Sequence, residues 1–249
     1  MSDITTAARD AAFAAFTGGF RLVDLTDVLG PDTVLWPGAP ALEATDIITH
    51  GPGAYHARVF TTFEHAGTHF DAPEHFVPGG VDAAGVPLDD LVVPVVVIDI
   101  TEQAAATPNY TLQVADVEAF EAANGTIAAG SAVVLNTGWA HKKDSVENYA
   151  GSADPDELKF PAFGVEAAQV LVERGVVGLG VDTLGIDPGN EPTHPVHRNV
   201  THINGLWHLE NLINVDQLPP TGAVIVVGVP RIAGGTGFPS RVFAFVPKN

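Results

Sequence analysis

The chain of 249 residues contains no cysteine. That removes disulfides, thiol nucleophiles and thiolate ligands together, so any metal must be held by histidine and carboxylate. Basic residues are also scarce, with 11 Lys and Arg against 30 Asp and Glu, a net charge of −19. A surface of that sign repels phosphates and anionic lipids, which argues against nucleic-acid and membrane partners. No apolar run reaches the roughly 18–20 residues that cross a bilayer. Residues 1–9 lack the basic start and apolar stretch of an export signal, so the cytoplasm is the expected location. No repeat, low-complexity tract or linker divides the sequence. With 46% hydrophobic and 16% charged residues, the expectation is one folded domain over residues 1–249.

Short apolar, β-branched runs at Phe20–Leu25, Val92–Ile100, Ala132–Leu135, Val176–Val181, Ala223–Val229 and Val242–Val246 read as buried strands. Pro94 should bend or interrupt the second of them. Val114–Ala123, ended by Asn124-Gly125, and Val165–Arg174, ended by Gly175, read as helices with C-terminal glycine signals. An Ala-rich stretch over Ile4–Phe16, ended at Gly18-Gly19, predicts a helical N-terminal extension within residues 1–19. Strands mixed with a few helices indicate an α/β fold.

The chemistry concentrates at residues 65–75, His-Ala-Gly-Thr-His-Phe-Asp-Ala-Pro-Glu-His. His65, His69 and Asp71 are spaced by four and two, so in an extended strand all three project from one face. Gly67 and Pro73 disfavour a helix here. Two imidazoles and a carboxylate make a ligand set for Zn or Mn that leaves positions open for water and substrate. His75, just past Pro73, is placed to act as the acid–base group. Upstream, Ala57, Val59, Thr61 and Phe63 share the parity of His65 and would lead an apolar strand face into the ligands.

These residues resemble the signature of the cyclase family of metal-dependent hydrolases, which includes bacterial kynurenine formamidases and isatin hydrolases. The resemblance runs from Leu25 and the Trp36-Pro37-Gly38 loop through 65–75. It continues at Asn136-Thr137-Gly138-Trp139, Gly180-Val181-Asp182-Thr183, Ile186-Asp187-Pro188-Gly189 and Leu209-Glu210-Asn211-Leu212, and ends at Gly234-Gly235-Thr236-Gly237 and Arg241. It implies a mixed, partly barrel-like sheet with helices packed on one side.

For the formamidase-like members it further implies a late histidine and a glutamate that bind a second metal sharing Asp71. Glu210 matches the glutamate. His197 matches the histidine, although the interval is one residue longer than the family pattern, and His202 competes for the role. His208 shares strand parity with Glu210. Trp36 stands where family members contact substrate, and a flat indole there suits an aromatic ligand. Phe238 stands near a serine of family members and would reshape the pocket. Trp139 and Trp207 read as core or near-site walls. Asp182 and Asp187 could orient histidines or cap turns. No lysine or helix start follows Gly234-Gly235-Thr236-Gly237, so it is not a nucleotide loop.

The resemblance implies a hydrolase of a small amide, cyclic amide or related ester, isatin-hydrolase-like, holding one or two divalent ions and assembling as a homo-oligomer, a dimer or higher. Kynurenine formamidase activity, a non-hydrolytic cyclase or dehydratase, and a metal-binding domain without catalysis are the alternatives.

Overall fold

A computed structural model of the protein describes Ala14 and residues 18–248. Apart from Ala14, the helix expected over Ile4–Phe16 lies outside the described residues. In chain order the strands are β1 (Phe20–Asp24), β2 (Glu43–Ile48), β3 (Ala57–Thr61), β4 (His69–Asp71), β5 (Val92–Asp99), β6 (Thr111–Leu112), β7 (Ala132–Asn136), β8 (Ala162–Phe163), β9 (Gly178–Val181), β10 (Trp207–Glu210), β11 (Ala223–Gly228), β12 (Gly237–Pro239) and β13 (Arg241–Pro247). Nine of them form one curled, half-barrel sheet in the order β1-β13-β11-β5-β7-β9-β10-β4-β12. Its centre, from β5 through β7 and β9 to β10, is parallel, and both flanks are antiparallel. The α/β class and the partly barrel-like sheet are as expected.

The six apolar runs all appear as sheet strands. β5, β7 and β9 at the centre are packed on both faces, whereas β1, β11 and β13 bury one face at most. Along β5, Val93, Val95 and Val97 enter one core with Phe70, Val134 and Leu209. Val96 and Ile98 enter a second core with Val133, Leu135, Leu179 and Val181. Residues of the helices Val114–Asn124 and Val165–Glu173 close that second core. A period of two with both faces buried leaves no polar alternation, hence the unbroken valine runs.

Pro94 does not interrupt β5 as expected. It is in register with Val224 of β11 only, and pairing with β7 begins at Val95. Its missing N–H is therefore needed on one side at most.

The reading of residues 57–71 as strand leading into the ligands also needs correction. β3 stops at Thr61 and pairs only with β2. Its expected apolar face is solvent-facing, with Val59 56% exposed. His65 lies in a turn, Gly67 takes φ +60°, and regular strand starts at His69.

Candidate metal centre and active site

The centre forms where β4, β10 and β12 meet. β10 and β4 are antiparallel, with Glu210 opposite His69 and His208 opposite Asp71. Directly opposed residues share a face, so His69, Asp71, His208 and Glu210 project together while Phe70 and Leu209 point into the first core. The turn at Gly67 folds His65 back over this face, and the short helical turn Pro73–His75 brings His75 onto it. The His65 and His75 rings stack at 3.8 Å between centroids. Spacing in sequence and convergence in space thus agree for His65, His69 and Asp71, but by a turn rather than one straight strand.

His197 arrives from a π-helical segment, Val196–Thr201. A π turn holds one residue more than an α turn, which accommodates the long interval to Glu210 while keeping the imidazole aimed at the centre. The Nε2 of His197 lies 3.5 Å from Asp71 and 3.4 Å from Glu210. His202, the competitor, instead stacks on His208 at 4.2 Å, and His208 bonds Thr201 Oγ1 through Nε2. Neither ring has a contact with Asp71 or Glu210 comparable to that of His197.

The remaining nitrogens of the three candidate ligand rings are engaged elsewhere. His69 Nδ1 donates to Gly67 O at 2.9 Å, and His197 Nδ1 meets Asp187 Oδ2 at 2.6 Å. His65 Nε2 meets Thr236 Oγ1 at 3.0 Å, and that hydroxyl donates to Glu64 at 2.6 Å. The inner nitrogens face carboxylate oxygens. His65 Nδ1 lies 2.6 Å from Asp71 Oδ1, and His69 Nε2 lies 3.1 Å from the same atom and 3.4 Å from Glu210. His69 Nε2 is buried and makes no directed hydrogen bond among the described residues. Nitrogens crowded against carboxylates favour a positive charge between them, a proton or a metal ion that displaces it, and outer hydrogen bonds of this kind orient a ligating histidine. His65, Asp71 and His75 offer ligand atoms within 4.8 Å of one another, as do His69, Asp71 and Glu210. The two groups share Asp71. These residues fit a divalent metal.

The electrostatics point the same way. Burial opposes charge on His69, but Asp71 and Glu210 outweigh it and push its pKa up to about 9. Burial likewise opposes charge on His197, yet Asp187, Asp71 and Glu210 hold it well above the usual histidine value. Burial would raise Asp71, but His69 and His65 keep it well below the ordinary carboxylate range. His75 differs: burial, against the pull of Asp71, lowers it to about 3 and leaves the ring neutral.

A cavity of about 450 Å³ opens onto these side chains, walled by Trp36, Phe63, Phe76 and Leu184, with His194 at one side. Trp36 is there as expected, edge-on to Phe160 at 6.3 Å. Phe238 is not among the lining residues. It pairs with Phe70 across β12 and β4, so strand parity turns it away from the face that carries the ligands, and its expected substrate contact is absent. What β12 does supply is Gly237, where a Cβ would stand 2.4 Å from Phe70 O and 2.8 Å from the His65 ring.

Asp187 orients His197, whereas Asp182 holds the Thr137 and Trp139 backbone N–H groups. Trp139 and Trp207 are core residues. The sequence reading missed the parts played by Thr236, Phe76 and His194. Thr236 lies in a glycine-rich block whose purpose becomes visible only once it meets His65.

The family described as "Putative cyclase" matches residues 23–188. Isatin hydrolase of Roseibium aggregatum is 34% identical, over 93% of this chain and 94% of that protein. Kynurenine formamidase of Maricaulis maris is 27% identical, over 89% and 96%. The crystal structure of an isatin hydrolase bound to the product analogue thioisatinate superposes with a TM-score of 0.87 at 31% identity, covering all of both chains.

Proposed function

The chain belongs to the cyclase family, and from that premise we propose that it is a metal-dependent hydrolase that opens the C–N bond of a small cyclic amide of the isatin kind. The observation that carries this reading is the convergence of His65, His69, Asp71, His197 and Glu210 in one apolar-walled cavity, with all three histidines against Asp71. His65, His69 and Asp71 would hold a first Zn or Mn ion, and Asp71, His197 and Glu210 would hold a second. A bound divalent ion polarises the substrate carbonyl and acidifies water.

The chain's own groups do the rest. His75, neutral and facing the cavity, takes a proton from the attacking water and returns it to the leaving nitrogen as the C–N bond breaks. Ring opening leaves a single product that bears both a carboxylate and a free amine, with the second proton of the water released to solvent. Trp36 and Phe76 offer aromatic faces to a planar substrate and exclude water from it. Exposed apolar side chains on the β2–β3 hairpin, Ile47 and Phe60 among them, favour a homo-oligomer.

The decisive experiment pairs metal analysis with turnover. Purified protein loaded with Mn or Zn should open isatin, and Glu210→Gln should lose about one ion per chain if two are bound. Hydrolysis of N-formylkynurenine with no action on isatin would transfer the assignment to formamidase chemistry, which the second set of ligands, His197 and Glu210, would then serve. Retention of no metal by the loaded protein would refute the reading.

A further inference from the structure

The glycine-rich block Gly234-Gly235-Thr236-Gly237 binds no nucleotide, yet it is pinned at three points. The Gly234 N–H donates to Asp82 Oδ2 at 2.7 Å, Gly235 O accepts from the Ala83 N–H at 2.9 Å, and Thr236 O accepts from the Ala72 N–H at 2.8 Å. Ala72 directly follows Asp71, so the block lies against the segment that carries the ligands. Gly234 takes φ +70°, a conformation glycine adopts at no steric cost. At Gly237 a Cβ would press on the His65 ring at 2.8 Å, so the loop comes this close only because it lacks one.

What the loop delivers is the Thr236 hydroxyl, set between Glu64 and His65. It donates to Glu64 Oε2 at 2.6 Å and meets His65 Nε2 at 3.0 Å. A hydroxyl has a single proton to give, and Glu64 takes it. The Nε2 of His65 is therefore the donor in the second contact and keeps its own proton. Only Nδ1, 2.6 Å from Asp71 Oδ1, is left for an ion. Among the described residues the Glu64 side chain bonds only Thr236, through the hydroxyl and through the backbone N–H at 3.4 Å. Neither Glu64 nor Thr236 lines the cavity, so neither touches a molecule held there.

Resting on the metal-dependent reading above, we propose that Glu64 and Thr236 are positioning residues that set the metal affinity of the site formed by His65, His69 and Asp71. The hydroxyl holds His65 with Nδ1 toward the ion. The Glu64 carboxylate, relayed through that hydroxyl, makes Nδ1 a stronger donor of its electron pair, as an outer carboxylate does for a ligating histidine. The other two rings are anchored differently, His69 by the neutral carbonyl of Gly67 and His197 directly by the carboxylate of Asp187. Glu64 thus brings negative charge to the first site without occupying a ligand position.

The test measures the affinity of the full chain for Mn by competition with a chelator, without turnover. Thr236→Val keeps the side-chain shape, removes the hydroxyl and should weaken binding by about 10–100-fold, whereas Thr236→Ser should stay within about twofold of wild type. Glu64→Gln keeps an acceptor for the hydroxyl but not the charge, and should weaken binding by about three- to tenfold. Long-range proton–nitrogen correlation spectra of the Zn-loaded wild type need no variant and should show His65 with its proton on Nε2. A Thr236→Val chain that binds Mn as tightly as wild type, or a loaded His65 protonated on Nδ1, would overturn the inference. Affinities that shift as expected in a chain that opens no cyclic amide would instead refute the hydrolase reading alone.

Discussion

At the scale of single residues, the centre is organised by what each imidazole does with its outer nitrogen. Gly67 O, Thr236 and Asp187 take up one nitrogen each of His69, His65 and His197, leaving the other nitrogen of each directed at Asp71 or Glu210. His75 lacks such an anchor and stacks on His65 instead, which suits a group that must gain and lose a proton. His75→Ala should lower kcat by about a hundredfold or more with metal content unchanged, as measured by turnover and elemental analysis on one preparation. Because His75 also lies near enough to His65 and Asp71 to share an ion, parallel loss of metal and activity would make it a ligand. The motif at 65–75 was legible because five informative residues fall within eleven positions. Asp187 was legible only as a carboxylate of open purpose, since the chain between it and His197 is mostly irregular and no strand or helix period applies.

At the scale of elements, strand parity decides which residues reach the centre. It brings Glu210 opposite His69 and turns Phe238 away, an outcome fixed by three-residue pairings of β4 with β10 and β12. Strands this short carry too little pattern to be read from sequence, whereas the long runs of β5, β11 and β13 do. The two main helices were legible from their glycine stops, and a side-chain tie joins them: Arg174 donates to Glu121 at 2.9 Å through both Nε and Nη2.

The hydrogen bond from Arg174, against a smaller cost of burial, lowers the Glu121 pKa. A depressed carboxylate stabilises the fold above its unfolded pKa of roughly 4.3 and loses that contribution as pH falls through the lower folded value. Both partners reach solvent, so the effect is modest. Glu121→Gln should lower Tm by about 1–3 °C at pH 7, and in thermal melts the gap should hold down to about pH 5 and close as pH falls below about 4. A gap independent of pH would mean that the tie acts through packing rather than charge.

Across the whole molecule, acidic charge is concentrated as well as abundant. Asp71, Asp187 and Glu210 are all buried around one centre in a chain of net charge −19. A divalent cation bound there neutralises a repulsive cluster and binds the folded state in preference to the unfolded one, so it must raise stability by mass action, by about 2.7 kcal/mol at a hundred times its Kd. Chelation should therefore lower Tm, and added Mn or Zn should restore it in a concentration-dependent way. A Tm indifferent to chelator and to metal alike would argue against an ion at this centre. Among the described residues no helix is long and apolar enough to cross a membrane.

By itself the sequence determined the α/β class, the six principal strands and the two main helices, because apolar β-branched runs and glycine stops are local signals. It also determined the donor chemistry, because the absence of cysteine leaves only imidazole and carboxylate. Tertiary structure alone decided that His197 rather than His202 faces Asp71, that Phe238 turns away, and that Thr236 belongs to the site. Those outcomes depend on a π turn, on strand register and on contacts between residues as far as 172 positions apart. None of these leaves a periodic mark on the chain.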